Sequence, residues 1–325
     1  MPKILQTLAT LLKKVPRFQL IIVALIFGAL GTYFLLASHA DTQTANLWIV
    51  PSGGSSSCSR LVSPVDYASA PASAKCNSVA VADAAAGAGD TVRFVAGTYG
   101  SFSLTATTKA VTYIGTGSDT VFNSLSLGGV GVAAKVDNKV IQGINFRDGG
   151  SFMAANHDVV KDSTIAGFTY IESSSDLELN NIDFDGSVAP QSDVIDIYEQ
   201  DRSYQPNTDI RILYSKIHGT RAETASSHPD GIQFCNCSGT RGDAFHAVNI
   251  TVAGNKFYDN ECINIRTNPG TGLTFENNLL NDSVTGISGC GYYTADLIGA
   301  SGTIRYNTFS GGQQIQANSS YNNGL

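Results

Sequence analysis

The chain has 325 residues, 33 of them glycine, with only 14% charged residues and a formal net charge of −7. That acidic balance excludes nucleic acid as a partner, because phosphates need basic counterparts. Few charges and abundant Gly, Asn, Ser and Thr point away from long amphipathic helices and toward a β-rich single domain with many turns.

Residues 1–40 stand apart. Lys3, Lys13, Lys14 and Arg17 precede an uncharged apolar run over 18–36, which ends in Ala37-Ser38-His39-Ala40. The basic start, the apolar run and the small residues suit secretory cleavage after Ala40. The run of nineteen residues also suffices to span a bilayer. Two readings therefore stand, a cleaved signal peptide or a signal anchor that leaves the protein attached to the membrane through its N-terminal helix. In both, residues 41–325 are extracytoplasmic, and without the four leader cations the net charge is −11 instead of −7. An anionic ligand would then need a bridging cation.

Six cysteines in an exported chain imply disulfides. Cys58 and Cys76 form a local pair; Cys235, Cys237, Cys262 and Cys290 lie close together with their connectivity open. Cys235-Asn-Cys237 lacks a second pair or a histidine at zinc spacing. The only helical pattern beyond the leader lies in the stretch Cys76–Asp90.

Seven segments of seven residues align without gaps from the middle of the chain onward. They end at Phe146, Ile165, Phe184, Ile217, Phe257, Leu280 and Phe309, and five positions earlier stand Ile141, Val160, Leu179, Ile212, Val252, Phe275 and Ile304. Asn255, Asn278 and Asn307 recur two positions before the end. The segment ends are 19, 19, 33, 40, 23 and 29 residues apart, as in a solenoid whose loops emerge from some turns. A second strand-like piece follows most segments: DVIDIYE, DGIQFCN, ECINIRT and, more weakly, TGISGCG and QQIQANS. Short strands with asparagine stacked at a corner predict an all-β fold, a parallel β-helix over 41–325 with an N-terminal cap.

With LWIVPSGGSSSC (47–58), GDTVRFVAGTYGSFSL (89–104) and HPDGIQF (228–234), the chain resembles the right-handed parallel β-helix proteins of the pectin-lyase-like superfamily. The resemblance covers residues 47–325 and implies that the β-helix is single-stranded and right-handed. It is specific for architecture, since this scaffold hosts lyases, hydrolases, epimerases and adhesins. The Gly-His-Gly and Arg-Ile-Lys signatures of polygalacturonase-type hydrolases are absent from the sequence.

Neighbouring strands of such a coil lie about 4.8 Å apart, with side chains alternating in and out. Stacking residues 193–199, 230–236 and 261–267 places Asp196, Gln233 and Asn264 in one outward column and Tyr198, Cys235 and Arg266 in the next. Asp193, Asp230 and Glu261 then line up where each strand begins. Three stacked carboxylates either cap turn amides or hold Ca2+, which favours oxygen-rich sites. The flanking inserts bring Arg202 and Tyr204, and His218, Arg221 and His228.

An extracellular polysaccharide suits this face. The leading expectation is a uronate-type lyase. In it His228 is the base, Arg266 or Arg221 stabilises the anionic intermediate, and Ca2+ on Asp193, Asp230 and Glu261 neutralises the substrate carboxylate. Tyr198, Gln233, Asn264, Tyr204 and Arg202 would bind substrate. A hydrolase using Asp196 and Asp230, or an epimerase, comes second. The alternative from another class is a non-catalytic surface protein that binds glycan or mediates adhesion.

Overall fold

A residue in left-handed backbone geometry turns the chain sharply, and Gly, Asn and Asp tolerate that geometry best. Among the described residues, seven windings of this chain carry such a residue at the corner between two short stretches of strand. The computed structural model describes residues 43–129, 134–198, 205–221, 229–235, 247–267, 271–281, 294–297, 301–310 and 315–316. Residues 1–40, Arg202, Tyr204, His228, Cys237, Cys290 and the predicted strand at 285–291 lie outside them. Among the described residues no helix is long and apolar enough to cross a membrane.

One corner column runs Gly143, Asp162, Asn181, Tyr214, Gly254, Asn277 and Tyr306, every member with φ between +50° and +71°. The strands on either side of it stack in parallel, and the two apolar columns read from the sequence are direct register partners. Ile141 pairs with Val160, Val160 with Leu179, and so on to Phe275 with Ile304. Phe146 likewise leads through Ile165 and Phe184 to Phe309. From Ile141 to Phe275 and from Phe146 to Leu280 these side chains are fully buried, each contributing about 1.5–3 kcal/mol over exposure. The fold is a parallel β-helix.

The recurring asparagines link the windings. The Asn255 amide N–H donates to Asn278 Oδ1 (2.9 Å), and that of Asn278 donates to Asn307 Oδ1 (2.9 Å). Ser215 and Ser163 carry the same bond in earlier windings, accepting from the N–H of Ile182 (3.0 Å) and Ile144 (3.2 Å). A side chain thus satisfies backbone groups that the corner would otherwise leave buried and unpaired.

The second piece of each winding builds another parallel sheet. Among the described residues it has nine strands, from Phe102–Leu104 through Thr169–Glu172, Ile195–Tyr198, Ile232–Cys235, Ile265–Arg266 and Ala295–Asp296 to Ile315–Gln316. The helix Val79–Ala85, capped by Ser78 Oγ accepting from the Val81 N–H, packs at the N-terminal end. Asp83 on this helix accepts from Tyr113 Oη (2.7 Å) and Thr107 Oγ1 (2.8 Å) and pairs with the fully buried Lys139 (3.3 Å). The expected Cys58–Cys76 disulfide is present, with Cα atoms 5.4 Å apart, and Cys262 is also disulfide-bonded.

One register differs from the expectation by two residues. Ile232 pairs with Ile265 and not Ile263, and Gln233 pairs with Arg266. The cause lies just upstream. Gly231 brings the Asn264 carbonyl so close that a Cβ there would stand 2.5 Å from its oxygen, and Asp230 Oδ1 accepts the Ile263 N–H (3.3 Å). Asp230 is therefore the rung above Ile263. Because side chains alternate with period two, a two-residue shift keeps inward positions inward but changes every neighbour.

Candidate functional site

The outward column of the nine-stranded sheet begins with Ser103, Ser126 and Ser151 and then changes character. Ser151 pairs with Tyr170, Tyr170 with Asp196, Asp196 with Gln233, Gln233 with Arg266, and Arg266 with Asp296. Beside it Met153, Glu172, Tyr198 and Cys235 form a second column. At about 4.8 Å per rung, the five side chains from Tyr170 to Asp296 span roughly 19 Å along the solenoid. The inward neighbours Ile195, Ile197, Ile232, Phe234 and Ile265 anchor these strands in the core.

Asp196 is the distinctive member. It faces out by register, yet only 7% of it is exposed, and its Oδ1 meets no hydrogen-bond partner among the described residues. Burial, reinforced by the charge of Asp193, pushes its carboxyl up to about 7. Glu172 is also buried, and burial raises it too. Its Oε2 accepts from Tyr170 Oη (2.6 Å), while Oε1 meets no partner among the described residues. The same bond, after burial, raises the Tyr170 phenol. The Tyr170 and Tyr198 rings approach to 5.3 Å, one rung apart. Two rungs below Asp196, Arg266 is one-third exposed and lies 3.9 Å from Asp296.

The sequence-derived site is partly assembled. Asp196 and Gln233 share a column as expected, and Tyr198 lies next to them. Arg266 joins the column of Asp196 and Gln233 and not that of Tyr198 and Cys235, a consequence of the two-residue shift. Asn264 does not face outward. It is buried before the strand begins, with its Oδ1 accepting from Asn260 Nδ2 (3.0 Å) and its carbonyl from the Ile232 N–H (2.9 Å). His228, Arg202 and Tyr204 lie outside the described residues.

The three-carboxylate column is corrected to a pair. Asp193 Oδ1 accepts the Asp230 N–H (2.6 Å), and Asp230, fully buried, is pushed well up by burial and by the charge of Asp193, with Arg266 opposing. Glu261 stands elsewhere, its N–H donating to Thr220 Oγ1 (3.2 Å) and its carboxylate 3.8 Å from Arg221. Arg221 is held in that same corner by Asp259 (2.7 Å) and two backbone carbonyls. Of the acids proposed for Ca2+, Asp193 and Asp230 thus stay together, and Glu261 is parted from them. Among the described residues no group of three or more His, Cys, Asp or Glu could hold a metal ion. The same burial removes Asp230 as the partner of Asp196 across a glycosidic bond.

Sequence reasoning missed Tyr170, Glu172 and Asp296. The signal was present in Phe168-Thr-Tyr-Ile-Glu172 and Thr294-Ala-Asp-Leu297, which alternate like the neighbouring strands and extend the column both ways.

The sequence matches no family model and no curated protein. Among solved structures, the fold is similar to an alginate lyase from Paenibacillus sp. str. FPU-7, with a TM-score of 0.47 and 15% identity, over 73% of this chain and 94% of that one. It is similar to the pectate lyase Pel9A, with a TM-score of 0.38 and 11% identity, over 81% and 60%. A third similarity is to ORF18 of Geobacillus virus E2, with a TM-score of 0.34 and 16% identity, over 74% of this chain and 53% of that one, so that this chain spans about half the viral protein's length.

Proposed function

We propose that the protein works outside the cytoplasm on a uronate-containing polysaccharide laid across the nine-stranded sheet, and that it cleaves this chain by β-elimination. The observation that carries the reading is Asp196, a carboxyl on an outward column with a titration point of about 7 and an oxygen unpartnered among the described residues. A group poised near neutrality can take up and return a proton, which is what general acid–base chemistry requires. The disulfides support an oxidising compartment.

In this reaction ionised Asp196 takes the proton from the carbon next to the uronate carboxylate. The electron pair forms the new carbon–carbon double bond as the glycosidic C–O bond breaks, and the leaving oxygen is protonated by solvent. Arg266, two rungs from Asp196 and beside Asp296, is the cation that would pair with the uronate carboxylate and so acidify that proton. Burial raises Glu172 above its ordinary value, and Tyr170 holds its Oε2. Tyr170 and Tyr198 offer ring faces to the sugar.

Purified protein given a panel of uronans is expected to generate the absorbance of unsaturated sugar ends, at a rate that rises with pH through about 7 as Asp196 ionises. Asp196→Asn is expected to lower kcat by about a hundredfold or more while substrate binding stays within a few-fold. Unchanged turnover in that variant, or reducing ends without unsaturation, overturns the proposal. One observation favours a second reading, a glycan-binding protein without turnover: Arg266 is already partnered by Asp296 inside the column. Retention on uronans without any product would select it.

A further inference from the structure

Single left-handed residues occur throughout the fold, and nearly all of them are Gly, Asn, Asp, Ser or Ala. Tyr214 (φ +51°) and Tyr306 (φ +58°) break that pattern in the corner column where Asn181, Gly254 and Asn277 serve the other windings. A bulky side chain is disfavoured in this geometry relative to Asn or Gly, so the fold alone does not call for tyrosine at these positions. Backbone outliers of this kind concentrate at functional sites.

Both rings are also displayed. Tyr214 is 66% and Tyr306 75% exposed. The Tyr214 ring lies against the next rung at Gly254, where a Cβ would stand 2.6 Å from it. Glycine therefore lets the ring lie flat along the solenoid. Backbone bonds stack the intervening rungs in order, from Tyr214 N–H to the Ala253 carbonyl (3.0 Å), Gly254 N–H to Glu276 (3.0 Å) and Asn277 N–H to Arg305 (3.3 Å). Three rungs separate the tyrosines, about 14 Å. Near Tyr306, the Arg305 guanidinium sits 5.6 Å from the ring centroid and pairs with Glu276 (2.5 Å).

We infer that the corner column from Tyr214 to Tyr306 is a second carbohydrate-binding surface, which takes a polysaccharide chain laid along the solenoid axis, apart from the sheet that carries Asp196. Two ring faces with small or polar residues between them match the alternation of a sugar chain, whose apolar C–H faces stack on aromatics while its hydroxyls need hydrogen-bonding partners. Asn277 and the Arg305–Glu276 pair supply those partners. A protein partner would instead call for a continuous desolvated patch, which Gly254 and Asn277 interrupt. The surface would hold an insoluble or polymeric glycan while shorter stretches of it reach the other face.

The test is retention of the full-length protein by insoluble cellulose, chitin, xylan and pectin. At least one is expected to retain it, and Tyr214→Asn with Tyr306→Asn is expected to weaken that retention by about tenfold per ring. Asparagine already fills this column at 181 and 277, so the double variant should keep or raise its Tm. The loss of retention would then report a lost ligand contact and not unfolding. Tyr214→Phe with Tyr306→Phe keeps the rings and should retain the glycan within about threefold. The inference is overturned if no matrix retains the parent, if the asparagine pair binds as the parent does, or if sedimentation shows self-association that depends on these tyrosines.

Discussion

Burial alone changes what several carboxyls of this chain can do. Asp158 is fully buried, its Oδ1 accepts the Lys139 N–H (2.7 Å), and its Oδ2 meets no partner among the described residues. Burial pushes it up to about 7. A raised carboxyl stabilises the fold fully below its unfolded titration point and loses that contribution as pH rises through the folded one. Asp158→Asn keeps the acceptor and cannot ionise. At pH 8 it should therefore be more stable than the parent, by at most about 4 kcal/mol, and the difference should vanish toward pH 4. Urea midpoints at the two pH values check this, and a variant less stable at pH 8 would contradict it. Such protonation states are not legible in the sequence. Alternation along DVIDIYE places Asp196 outward, but nothing in those letters says that it is shielded from water. Asn264 fails for the opposite reason, since alternation puts it in the column although the strand begins only at Ile265.

At the scale of the winding, the corner ladder carries a large share of the order. Asn278 donates from Nδ2 to the Val252 carbonyl (2.9 Å) and accepts from the Asn255 N–H. Asn278→Ala would strand both backbone groups, each costing about 1–3 kcal/mol, and the urea midpoint should fall with an unchanged slope. Asn278→Ser should recover part of the loss, because Ser215 and Ser163 already accept the equivalent N–H in their windings. A serine variant no better than alanine would show that the ladder is not interchangeable in this way. The recurring Asn255, Asn278 and Asn307 made this corner readable, as did the paired apolar columns, all of whose partners are found. The serines that make the same bond went unrecognised because they share no side-chain name with asparagine. The register of residues 261–267 was misjudged because aligning the acids that begin each strand gave more weight to charge than to the glycine that lets two backbones approach.

At the scale of the whole molecule, the shifted carboxyls among the described residues fall into opposing groups. Burial raises Asp158, Asp196, Asp230 and Glu172. The lowered group is Asp66, chiefly through the bond from the Ser69 N–H, Asp183, chiefly through its bond from His218, and Asp83, Asp90 and Asp137, whose hydrogen bonds and nearby cations outweigh burial. Asp158 and Asp196 lose their stabilising effect as pH rises toward and through about 7, Asp230 and Glu172 as it rises above the ordinary carboxylate range, and the second group as pH falls below that range. The Tm should therefore peak between about pH 4 and 7, and calorimetry from pH 3 to 9 showing a steady rise to the alkaline end would contradict the assignment. The outward column has a separate consequence. Tyr170 and Asp296 are 126 positions apart in the chain, yet only the intervening coils fix their spacing, so loops can lengthen without disturbing it. A column assembled in this way acts as a gauge of the entire stack. On heating, retention of the proposed glycan should disappear once any of those five coils slips, while circular dichroism still records most of the strands.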